Sequence, residues 1–337
     1  MANLQDYELL ERSWAEWNQL NPAGMVCCAS GSAALLLALE ALQLPQGNEV
    51  LVPDFTMIAC PRAVAMAGLT PVFVDCDERL LMDPRLLLES TSHVVMPVHV
   101  YGRRCDMDAI NAWAKFGGRE MPLVVEDLAE AHGVKPHAQT DAACWSFFKN
   151  KIICAADAEG GAVWFRDPEH ATLARMLRSL GHIRSYNHRP RGWNHRLSNP
   201  HAQLVLRSLA DYGINVHGDY GRKELCDAYD RYCPDEWRMP ARDALWVYDI
   251  GIPGLRPHKQ NQIVEALLAA GIEARHGFKS CHRQQEFVSS RFVCNPDKEP
   301  ESIRASREVI YLPCTPGYAT NRSVELSFQI IRRVLGE

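Results

Sequence analysis

Trp145-Ser146-Phe147-Phe148-Lys149-Asn150-Lys151, followed by Glu159-Gly160-Gly161-Ala162-Val163, is the stretch on which the reading of this chain turns. Ser146 and Lys151 stand five residues apart, and an apolar run resumes at the paired glycines. Upstream, Leu123-Val124-Val125 runs into Glu126-Asp127-Leu128-Ala129-Glu130-Ala131-His132-Gly133. A carboxylate at a strand end, then a hydroxyl, then an amine, form an ordered set able to hold a polar cofactor. Alone, Asp127 reads equally well as a helix cap after a strand, and Lys151 as a surface lysine. Their order and separation lift both above those readings.

Working outward, short apolar runs at 25–28, 49–53, 71–75, 94–98 and 123–125 read as buried strands. They alternate with helical patterns at 4–20, 33–44, 60–67 and 106–115. Such alternation predicts an α/β fold with a mostly parallel sheet sandwiched by helices. Beyond about residue 215 the texture changes. Strand-like 244–250 and 271–275 are interleaved with helical 261–270 and a closing helix at 321–335. This predicts a large domain over 1–215 and a smaller C-terminal α+β domain over 216–337, joined within 213–221.

The Lys and Asp segments together resemble the DegT/DnrJ/EryC1/StrS family of aminotransferases, which depend on pyridoxal 5'-phosphate (PLP). Further matches run to the C-terminus in the same order: Pro97-Val98-His99-Val100-Tyr101-Gly102, Gly192-Trp193-Asn194-His195-Arg196-Leu197-Ser198-Asn199, Gly271-Ile272-Glu273-Ala274-Arg275 and Leu312-Pro313-Cys314. The resemblance implies fold type I, the aspartate aminotransferase architecture. It also implies a homodimer with shared active sites, a nucleotide-sugar substrate bearing a ketone, and an amino-acid donor, glutamate.

PLP asks a protein for an amine, an anion, a phosphate cradle and a ring face. The resemblance assigns the amine to Lys151, with Lys149 as its neighbouring competitor. Asp127 becomes the partner of the pyridine nitrogen, and Glu130 falls near the ring hydroxyl. Ser30-Gly31-Ser32-Ala33 before a helix suits a phosphate, because glycine allows close approach and the helix N-terminus offers free N–H groups. Gly31, Ser32 and the Ala33 amide are therefore the cradle, with Ser146 adding a hydroxyl. Asn194 matches the position that reaches the neighbouring subunit's phosphate. Met57 stands where members carry an aromatic residue on the ring, with Phe55 as the alternative. His99 is a substrate contact or a structural histidine, and Arg184, Arg189 and Arg191 meet a diphosphate or form an exposed basic loop. Two departures mark this chain: it lacks the Gly-rich lead before the first helix, and an insertion at 154–158 bears on the pocket floor.

The bulk numbers exclude other classes. A net charge of -5 over 337 residues, with no basic stripe, argues against nucleic-acid binding. The polar start and the absence of a long apolar run argue against a secretory signal or membrane span, which places the protein in the cytoplasm. Twelve cysteines are scattered without a CxxC pair, so they read as small core residues and not as a metal site. Ser30-Gly31-Ser32 lacks the GxGxxG spacing of a nicotinamide enzyme. The remaining alternatives are a PLP-dependent sugar dehydratase and a PLP-binding regulator without turnover.

Overall fold

The computed structural model describes residues 5–89, 92–115, 122–214, 218–316 and 319–337. Strands in chain order are β1 (Met25–Cys28), β2 (Glu49–Pro53), β3 (Thr70–Val74), β4 (Val94–Val95), β5 (Leu123–Asp127), β6 (Ala142–Ser146), β7 (Gly161–Phe165), β8 (His182–Arg184), β9 (Asn187–His188), β10 (Val247–Gly251), β11 (Arg275–His276), β12 (Phe292–Val293) and β13 (Val309–Pro313). Helices are α1 (Asp6–Asn18), α2 (Gly31–Ala41), α3 (Ala59–Met66), α4 (Met107–Lys115), α5 (Pro168–Leu177), α6 (Asn199–Ile214), α7 (Gly218–Tyr232), α8 (Pro257–Ala269), α9 (Glu301–Glu308) and α10 (Asn321–Leu335).

Eight strands form the main sheet in the order β1-β7-β6-β5-β4-β2-β3-β12. Pairs from β6 through β12 are parallel, and β7 runs antiparallel to both of its neighbours. The expected α/β class with a mostly parallel sheet is thus present. Its strands are buried along almost their whole length, as sheets covered on both faces require. Helix α2 is buried on nearly every side, which explains its run of Ala and Leu.

A second, three-stranded antiparallel sheet, β10-β13-β11, packs its Ile250, Ile310 and Leu312 with α7, α8 and α10 into a separate core. The expected boundary between residues 215 and 216 lies outside the described residues. The chain also returns: β12 joins the edge of the main sheet beside β3, so residues late in the sequence help complete the first core.

One buried ion network ties the two sheets together. The Arg103 side chain, fully buried, donates from Nη2 to both oxygens of Asp249 in β10, at 2.9 and 2.8 Å. Arg242 donates to the same carboxylate from Nε at 2.8 Å. Burial pushes the Asp249 carboxyl up, but the two guanidinium groups outweigh it and hold it below its ordinary value.

Ten of the twelve cysteines are buried, and Cys154 and Cys294 are half-buried. No helix among the described residues is long and apolar enough to cross a membrane.

Removing one member of a buried ion network leaves the others uncompensated. Asp249→Ala is expected to lose about 3–5 kcal/mol of stability, read as a lower urea midpoint at unchanged slope. An unchanged midpoint would show that Arg103 does not depend on Asp249.

Candidate active site

The carboxyl ends of the central parallel strands meet the N-terminus of α2 around a cavity of about 320 Å³. Ligands in open α/β sheets collect at such strand ends. Seven of the nine residues selected from sequence line it: Gly31, Ser32, Met57, Asp127, Glu130, Ser146 and Lys151.

Lys151 sits on the connection between β6 and β7, with its side chain only 11% exposed. Its Nζ lies 3.6 Å from Glu130 Oε1 and 3.9 Å from the centroid of the Trp246 ring. Lys149 is exposed and does not border the cavity. Asp127 closes β5 and opens a turn, not a helix. Its Oδ1 accepts from the Ala129 N–H at 2.9 Å, and its Oδ2 accepts from the Cys60 thiol at 3.1 Å.

The α2 end is built by close packing. A Cβ on Gly31 would stand 2.7 Å from Ser146 Cβ, and one on Gly161 would stand 2.3 Å from the Ser30 carbonyl oxygen. Only glycines let the α2 turn, β6 and β7 come this close. Ser30 caps the helix, its Oγ accepting from the Ala33 N–H at 3.2 Å. The expected use of the Ala33 amide is thereby corrected: that N–H is occupied by the cap and Ala33 is not on the cavity wall, which leaves the Gly31 and Ser32 amides at the helix end that borders the cavity.

Asn194 does not join the cluster. It is exposed, bridged to Ser179, and its Oδ1 accepts from Arg196 at 3.4 Å. Met57 borders the cavity and remains 51% exposed, whereas Phe55 is buried edge-on against Tyr101 and Phe278. His99 is structural: it is buried, and its Nε2 lies 2.8 Å from Glu126. Arg184, Arg189 and Arg191 do not border this cavity, nor does the 154–158 segment, whose Cys154 and Ala156 line a different one.

Sequence reading missed an opposite wall made of Phe148, Trp246, Phe278 and Tyr311, with Arg275 beside them. Arg275 carried a signal in Gly271-Ile272-Glu273-Ala274-Arg275. Trp246 lay inside a segment read only as a strand.

The residues present fit PLP by their own chemistry. An amine and a carboxylate border one cavity, and glycine packing keeps a helix N-terminus open at its edge. Burial pushes the Glu130 carboxyl up to about 7, although Lys151 draws it the other way. His132, behind the wall, is pulled down to about 3 by burial and by the charge of Lys151, so it stays neutral.

A carboxyl raised from 4.5 to about 7 keeps its proton in the folded chain after the unfolded chain has lost it. The folded state then binds more protons, and stability falls as pH rises through that window. Glu130→Gln lacks this decline. Relative to the original protein, its unfolding free energy is expected to gain up to about 3 kcal/mol between pH 4.5 and 7. Parallel stability curves across those pH values would contradict the assignment.

A sequence model of the DegT/DnrJ/EryC1/StrS aminotransferase family matches residues 6–326. The UDP-N-acetyl-3-dehydro-alpha-D-glucosamine 3-aminotransferase of Acidithiobacillus ferrooxidans is 40% identical over 320 residues, covering 92% of this chain and 84% of the relative. The GDP-perosamine synthase of Caulobacter vibrioides is 34% identical over 289 residues, covering 81% and 76%. Among solved structures, 3-amino-5-hydroxybenzoic acid synthase superposes with a TM-score of 0.85 at 26% identity, covering 99% of this chain and 91% of that one. The chain therefore belongs to the DegT/DnrJ/EryC1/StrS aminotransferase family and is a PLP-dependent aminotransferase of fold type I.

Proposed function

We propose that this enzyme moves an amino group from glutamate to a keto-sugar nucleotide, as a cytoplasmic homodimer whose active sites are shared between subunits. The observation that carries the reading is the meeting of Lys151, Asp127 and the α2 N-terminus on one cavity. The two relatives described by sequence, one named for a UDP-sugar and one for a GDP-sugar product, support the substrate class.

When bound, PLP supplies an aldehyde for the donor's amine and a ring that takes up the electrons released at the donor carbon. The protein does the rest. Lys151 would hold PLP through its amine, and that amine, once free, would move the proton between the reacting carbons. Asp127 would pair with the ring nitrogen and keep it protonated. The Gly31 and Ser32 amides and the Ser146 hydroxyl would hold the phosphate, where the helix dipole favours an anion. Glu130 would meet the ring hydroxyl, and Met57 would lie against the ring. Residues 1–215 carry these groups and Phe148, and the smaller unit over 216–337 adds Trp246, Phe278 and Tyr311 to the aromatic wall.

Asn194 is the residue for which a second subunit is needed. Its exposure and its place off the wall of the local cavity support a role in the neighbour's phosphate site.

Two experiments test this reading. Glutamate should bleach the visible band of the PLP-loaded protein, and Lys151→Ala should lose that response and at least roughly three orders of magnitude in turnover. A band indifferent to glutamate would point to another donor, to elimination or to a binder without turnover, and full turnover in the variant would refute the role of Lys151. Separately, inactive Lys151→Ala and Asn194→Ala proteins, refolded together, should regain about a quarter of the original activity, since half the dimers are mixed and each restores one site. No recovery would mean that sites are not shared.

A further inference from the structure

We propose that Trp246 is a positioning residue for Lys151: its ring face is the seat that holds the lysine's ammonium whenever the amine is not bonded to the cofactor. The inference rests on the reading of Lys151 as the PLP-bonding amine.

The geometry sets the argument. Lys151 Nζ stands 3.9 Å from the Trp246 ring centroid, well within the range of a cation over an aromatic face. Trp246 is 3% exposed and the lysine side chain 11%, so water screens little of the attraction. The ring cannot turn away freely. Its Nε1–H donates to the Asn150 carbonyl at 2.5 Å, one residue before Lys151, and its neighbours Tyr311 and Tyr101 lie 6.0 and 6.2 Å off. One side chain thus fixes both the backbone before the lysine and the charged tip of the lysine.

The other group in reach is Glu130, at 3.6 Å, a distance too long for a full hydrogen bond. Its carboxyl is easily neutralised, because burial raises it toward neutrality. In the protonated state Glu130 offers no charge, and among the described residues the ring face is then the charge-stabilising partner of Lys151 at short range.

The seat has a chemical consequence. To capture PLP, the uncharged amine must use its lone pair to form a C–N bond with the aldehyde carbon. The aldehyde oxygen leaves as water, taking both amine protons. An ammonium has no lone pair and must first hand one proton to Glu130 or to solvent. A face that stabilises the ammonium therefore slows capture, and in exchange it keeps the released amine at the cavity wall.

The test is the rate at which cofactor-free protein captures PLP at pH 7, followed by growth of the visible band. Trp246→Met and Trp246→Leu, which lose the face, should capture roughly tenfold faster. Trp246→Phe keeps a face but loses the bond to Asn150, and should stay within about twofold of the original. Should the Met and Leu variants fail to fold, protein grown with fluorinated tryptophan, equal in shape but weaker in face, should capture faster than the unlabelled chain. Unchanged or slower capture in folded Met or Leu variants overturns the proposal. So does a Phe variant that behaves like Met, because the Asn150 bond would then be the operative contact. Unlabelled protein that shows no borohydride-fixed PLP on Lys151 by peptide mass spectrometry would instead sink the reading of Lys151 itself.

Discussion

An ammonium buried beside aromatic rings must be met by negative charge or by something that imitates it, and the rest of this cavity is arranged around that demand. Lys151 meets Glu130 on one side and the electron-rich face of Trp246 on the other. Glu130 comes from the turn after β5 in the main sheet, and Trp246 from the segment that enters β10 in the small one. The site therefore exists only while the two sheets hold their relation. Arg103 and Asp249 supply that constraint, and so a network remote from the chemistry governs how well the lysine is housed.

A second constraint is steric. The α2 turn, the end of β6 and the start of β7 are pressed together at Gly31, Ser146 and Gly161. Because β7 runs antiparallel to β6, the connection between them doubles back over the strand ends and returns Lys151 to the same edge as Ser146 and Asp127. An all-parallel continuation would have needed a crossover connection of a dozen or more residues, usually a helix, in place of this short reversal.

Much of this was legible in sequence where the information is local. Helix α10 matches its expected bounds, since its amphipathic pattern and its capping Thr320 lie within a few residues of each other. The strand expected at 94–98 shrinks to Val94–Val95, because Pro97 has no N–H to give the ladder. The strand expected at 271–275 keeps only Arg275, in β11, and its start is a helix ending: Gly271 adopts φ +78°, and Ile272 N–H bonds back to Leu267. Helix α8 begins at Pro257, ahead of the expected 261, using a proline at its first position. What could not be read was pairing between distant segments. Neither the reversal of β7, the return of β12 to the main sheet, nor the position of Trp246 opposite Lys151 has a signature in the neighbouring residues. The selected site residues were found through ordered motifs, whereas the facing wall is assembled from four places in the chain.

The burial of the cysteines bears on how the enzyme meets oxidants. Reactivity belongs to the thiolate, and burial first of all pushes Cys27, Cys28, Cys60, Cys76 and Cys144 upward, away from ionisation at neutral pH. These five thiols are in this way chemically quiet, serving as filler and, at Cys60, as a neutral donor to a carboxylate. Alkylating or oxidising reagents would reach the half-buried Cys154 and Cys294 first. Cys60, fully buried and bonded to Asp127, would outlast them and lose its protection only when the fold itself opens.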